Sequence, residues 1–178
     1  MAAKTSRRLV IDASVARSSG GEDATFPTSK HCRDFLKAVL SICHRIVLTP
    51  EIQAEWHKHQ SSFARKWLVS MFARKKVEQA GSAVNQELRD KIQDAADGEK
   101  SWNAMLKDIH LLESALATDK TVIALDETVR ELFTRSSESV GVIRAIVWVN
   151  PDITSEEPLK WLELGARTDK ERWLGRSS

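Results

Sequence analysis

Apolar residues fall into four short runs separated by longer stretches of helical periodicity. The first run, within 9–15 (LVIDASV), sets three apolar residues, two of them β-branched, directly against Asp12, with Ser14 two positions on. A run without polar alternation suits a strand buried on both faces of a parallel sheet, so Asp12 would stand where that strand leaves it. Residues 46–48 repeat the pattern and stop at Thr49-Pro50. That pair starts a helix, because the hydroxyl can accept an orphan amide and proline lacks an N–H that the first helical position does not use. Residues 121–125 form a third run ending on Asp126, and 143–149 a fourth, closed by the Asn150-Pro151-Asp152 turn.

Between the runs, Phe35, Leu36, Val39, Leu40 and Cys43 recur at helical spacing and predict an amphipathic helix over 29–44. Residues 16–29, rich in Ser and Gly and interrupted by Pro27, read as a loop over the end of the first strand. Helices are predicted over 61–72 and 85–96, broken at Gly81 and ended by Asp97-Gly98. A further helical stretch over 99–106 leads to one opening at Asp108, with Ile109, Leu112, Ala115 and Leu116 as its stripe, and a short helix covers 127–133. This alternation predicts a three-layer α/β fold whose central, mostly parallel sheet of four to five strands is flanked by helices. Residues 1–150 form the domain, with 61–106 a helical elaboration inside it. The tail, 151–178, carries Trp161, Leu162, Leu164, Trp173 and Leu174 and would dock on its own domain or on a second subunit.

Acids gather at one end of this scheme. Asp12 ends the first strand, Asp126 ends the third, Glu51 or Glu55 opens the helix after the second, and Asp108 begins the helix that feeds the third. Ligands of open α/β sheets bind beyond the carboxyl ends of the strands. Four carboxylates there would repel one another unless a cation lay between them, and an all-oxygen donor set suits Mg²⁺ or Mn²⁺. Asp108 and Asp126 each precede a helix and could serve only as N-caps, whereas Asp12 has no such local explanation. Cys32 and Cys43, placed in one helix without CxxC spacing, read as buried thiols and do not suggest zinc.

Charge adds one feature. The net charge is +2, yet from Trp56 to Val77 the chain carries Lys58, Arg65, Lys66, Arg74, Lys75 and Lys76 with no acid. Such a stretch is the footprint of a phosphate-backbone contact. Trp56 and Trp67 within it suit either the core or stacking on unpaired bases. With 178 residues, 42% hydrophobic and 29% charged, the chain is sized for one globular domain. No apolar run approaches the roughly 20 residues needed to cross a bilayer. The start, MAAKTSRRLV, lacks the apolar core of a secretory signal, which predicts a cytoplasmic protein.

VIDASV, TPEIQAEW and DIHLLESALATDKTVIALDE, in that order, resemble the PIN domain, the nuclease fold shared by VapC-type toxins and several RNA-processing enzymes. The resemblance covers about 9–149. It implies a Mg²⁺- or Mn²⁺-dependent ribonuclease with Asp12, Glu55, Asp108 and Asp126 as catalytic, metal-holding acids, and Glu55 preferred to Glu51. Ser14 would orient a ligand or substrate oxygen from behind them. The basic stretch would hold RNA, and an antitoxin or a second copy of the chain would be the protein partner. The alternative is a PIN-like module that binds RNA or protein with little catalysis. A haloacid dehalogenase-like site would want an acid where Ser14 stands.

Overall fold

The computed structural model describes residues 5–176, so the first four residues of the basic start and the last two of the tail lie outside it. Five strands, β1 (Arg8–Ile11), β2 (Arg45–Leu48), β3 (Val77–Gln79), β4 (Thr121–Ile123) and β5 (Val147–Val149), make one sheet in the order β3-β2-β1-β4-β5, every neighbour parallel. Eight α-helices among the described residues flank it: α1 (Ala13–Ser18), α2 (Pro27–Ser41), α3 (Pro50–His59), α4 (Ser62–Ala73), α5 (Gln86–Ala95), α6 (Glu99–Leu116), α7 (Glu127–Ser136) and α8 (Pro158–Glu163). Strands β1, β4 and β5 are almost wholly apolar where the sheet is covered, Thr121 being the buried polar residue, and Leu9, Val10, Val122, Ile123, Trp148 and Val149 have no exposed surface.

The chain steps from β1 outward to β2 and β3, then crosses back through α5 and α6 to place β4 on the other side of β1. That reversal opens a crevice between the carboxyl ends of β1 and β4, where this class of fold binds ligands.

Several expectations need correction. Residues 13–18 are helical, with Asp12 as the N-cap of α1, so the loop after β1 shrinks to 19–26. Strand β3 was not expected: with Val77 and Glu78 half-exposed and Gln79 exposed, it carries almost no apolar signal. The last strand is only Val147–Val149, because a 3₁₀ turn occupies Gly141–Ile143. Cys43 lies beyond the end of α2 and is exposed, whereas Cys32 is buried. Asp108 does not open a helix. The N-terminus of α6 is at Gly98, whose φ of +96° suits glycine, and the helix runs through Asp108 without a break.

Trp56 and Trp67 are both core residues, 0% and 3% exposed and stacked on each other at 5.7 Å, so neither is open to a base. The tail folds on its own domain: Trp161 and Leu162 are buried beside α2, Trp173 bridges antiparallel to Val147, and Leu174 N–H donates to the Ile146 carbonyl.

Buried His44 fastens this tail. Its Nδ1 accepts from the Arg7 N–H at 3.2 Å, and its Nε2 meets the Leu162 carbonyl at 2.8 Å, the pattern of a neutral ring protonated at Nε2. Burial, with the Lys76 and Arg7 charges, pushes its pKa below the usual range. The unfolded chain then binds a proton more readily than the fold, so this contribution is complete above about pH 6.5 and is lost as pH falls below it. In urea melts at neutral and mildly acid pH, His44→Gln is expected to lose less stability on acidification than the parent protein. An equal loss would show that His44 is not the group being titrated.

Candidate functional site

Each of the four acids reaches the crevice from a different element. Asp12 follows β1, and its backbone N–H donates to the Ile123 carbonyl of β4 at 2.8 Å, which extends the pairing to the strand's last step. Its Oδ2 accepts from the Ser14 N–H at 3.1 Å, the ordinary bond of an N-cap aspartate. Asp126, exposed after β4, caps α7 through Oδ1 and the Val129 N–H at 3.0 Å. Glu55 lies on the second turn of α3, with His59 Nε2 3.4 Å from its Oε2. Asp108, in the middle of α6, is half-buried.

Together with Ser14, Arg17, His59 and Lys107, these acids line one cleft of ≈ 480 Å³. Glu51 is not among the lining residues. It accepts from the Ser82 hydroxyl, which holds its carboxyl below the usual range and ties down the segment after β3.

The cleft's electrostatics follow from crowding. Burial, then the charges of Asp12, Asp126 and Glu55, push the Asp108 carboxyl up to about 7, with Lys107 acting the other way. Among the described residues, no three His, Cys, Asp or Glu side chains stand close enough to form a ready metal site. The donor set is all oxygen, converges from four elements and carries excess negative charge, which fits a hard divalent cation.

Hydrogen bonds tie the residues next to Asp12, Glu55 and Asp126 to neighbouring elements. Trp56, adjacent to Glu55, donates its Nε1–H to the carbonyl of Ile11, adjacent to Asp12, at 2.8 Å. Ser14 Oγ accepts from the N–H of Leu125, adjacent to Asp126, at 3.3 Å, and Asn150 Nδ2 donates to the carbonyl of that same leucine at 3.1 Å. Ser14 therefore links α1 to the end of β4. Trp56→Phe keeps an aromatic ring but removes the pyrrole part of the buried indole and leaves the Ile11 carbonyl without its donor. The expected result in a denaturant melt is a loss of about 1–3 kcal/mol, and an unchanged midpoint would show that the bond contributes nothing.

The chain matches no protein-family model and no curated protein.

The basic stretch divides into two parts. Lys58, Arg65 and Lys66 are exposed near the place where α4 starts against the end of α1, the Ser61 N–H donating to the Ala16 carbonyl. Arg74, Lys75 and Lys76 lead into β3 at the opposite end of the sheet, the Ile46 N–H donating to the Lys76 carbonyl. Lys76 is not available to phosphate as expected: its ammonium donates to the carbonyls of Val39, Leu40 and Ile42 at the end of α2. Burial holds its pKa down.

Sequence reasoning missed Arg17, His59, Lys107 and Asn150. Arg17 was hidden in a segment read as loop, although it follows Asp12 by little more than one helical turn. Asn150 ends an apolar run as Asp12 and Asp126 do, and that shared position was the available signal.

Proposed function

We propose that this chain is a metal-dependent ribonuclease of the PIN class that hydrolyses RNA phosphodiester bonds. The observation that carries the reading is the convergence of Asp12, Glu55, Asp108 and Asp126, from four separate elements, on one cleft at the carboxyl end of an all-parallel sheet. Asp12, Glu55, Asp108 and Asp126 would hold Mg²⁺ or Mn²⁺. When bound, such an ion lowers the pKa of a water and offsets charge on the phosphate.

The chain's own residues supply the rest. With no cation between the acids, crowding and burial put the Asp108 carboxyl near 7, and a divalent ion held there would draw it back to the carboxylate that serves as a ligand. The Trp56, Ser14 and Asn150 bonds fix the backbone beside the other acids, which keeps the donors at set positions. RNA is the proposed substrate and the cytoplasm the proposed location. No helix among the described residues is long and apolar enough to cross a membrane. A toxin role, with an antitoxin or a second copy of the chain as partner, is the finer form of this reading.

The test is cleavage of a mixed-sequence single-stranded RNA with Mg²⁺ or Mn²⁺ and with EDTA. Metal-dependent cleavage by the parent protein that disappears in Asp12→Asn supports the proposal, and metal-dependent cleavage undiminished in that variant defeats it. A second reading, an RNA- or protein-binding module with little catalysis, is favoured by the exposed cations Lys58, Arg65 and Lys66, which would hold RNA whether or not the acids bind a metal. It predicts RNA binding without cleavage under the same conditions.

A further inference from the structure

A cleft holding four carboxylates repels an anionic strand, so a nuclease site of this composition needs fixed positive charge close to the acids. Two cations meet that need. Arg17 enters the cleft from α1 and Lys107 from α6, and both side chains are exposed. Both line the same cleft as the carboxylates, where the Lys107 charge already acts on Asp108, and among the described residues neither is tied up in a close ion pair or a side-chain hydrogen bond. The more conspicuous basic triplet at 74–76 lies at the far end of the sheet, with Lys76 committed to the end of α2.

We infer that Arg17 and Lys107 are the substrate-phosphate contacts of the cleft, taking RNA phosphates on either side of the acid cluster so that the strand crosses from α1 to α6. This rests on the ribonuclease reading for the identity of the strand. The rival explanation of each residue is local. Arg17 lies in the last turn of α1, where a cation suits the helix dipole, and Lys107 adjoins Asp108. Those local roles would change stability and leave RNA affinity alone.

The experiment measures binding of a fluorescein-labelled, mixed-sequence single-stranded RNA by anisotropy over a range of KCl, with Ca²⁺ present to satisfy the acids. Arg17→Ala and Lys107→Ala are each expected to weaken binding roughly three- to tenfold and to lower the slope of log affinity against log salt by about 0.7. Arg17→Lys should restore most of the affinity, and Arg74→Ala and Lys75→Ala should bind as the parent does. Unchanged affinity and slope in Arg17→Ala and Lys107→Ala, or equal weakening in the variants at 74 and 75, overturns the inference. Cleavage assayed on the same preparations separates the two readings. RNA bound with these slopes and not cut removes the ribonuclease and keeps the contacts, whereas metal-dependent cutting with unchanged slopes does the reverse.

Discussion

Asp12→Asn is expected to reduce metal-dependent RNA cleavage by about 10²–10³-fold while leaving the fold intact. A metal-held charge at a phosphoryl centre is worth several kcal/mol of transition-state stabilisation, and each 1.36 kcal/mol is tenfold in rate. Asparagine keeps a side-chain oxygen able to accept from the Ser14 N–H, so the cap on α1 survives the change. Single-turnover cleavage at saturating metal, with circular dichroism as the control for folding, reads the effect. A loss below about threefold would place Asp12 in the capping role alone.

The second large effect has the opposite sign for stability. With its carboxyl raised to about 7 in the fold, against about 3.9 in the unfolded chain, Asp108 keeps its proton longer when folded. Between those values the native state binds more protons than the unfolded one, so stability falls as pH rises through the window. Asp108→Asn removes this penalty. After discounting for its partial exposure, the variant should be more stable than the parent by roughly 1–3 kcal/mol at pH 8 in EDTA, and no more stable at pH 4. Added Mn²⁺ should raise the melting temperature of the parent and do far less for the variant. A variant destabilised at pH 8 would mean that Asp108 serves the fold rather than the site.

Local chemistry explains which parts of this architecture were legible. Thr49-Pro50 started α3 as expected, because capping is decided within one turn and the Thr49 hydroxyl does accept from the Ile52 N–H. The unbroken apolar runs gave β1, β2 and β4 because burial on both faces removes polar alternation. Strand β3 was invisible, since an edge strand of three residues is held by its neighbour's backbone rather than by its own side chains.

The acids show how local reasoning can invert roles. Asp12 reads as the acid without a capping role and is an N-cap, while Asp108, for which a cap is the rival explanation to metal binding, lies inside a helix and caps nothing. A half-buried aspartate in the interior of an 18-residue helix opposes helix propensity and burial at once. No local need explains it, which makes Asp108 the acid whose presence points most directly to chemistry. Seeing this required the true start of α6 at Gly98, and Asp97-Gly98 had suggested a break without showing how far the next helix would run.

The bond from the Asp12 N–H to the Ile123 carbonyl closes a separation of more than a hundred residues. It also sets when the site can exist during synthesis. A chain still on the ribosome has β1, β2 and β3 available early, but β1 keeps an open edge and lacks its neighbour until 121–123 emerge, with Asp126 just behind. The four acids can therefore share one cleft only after nearly three quarters of the chain, through residue 126, has been made.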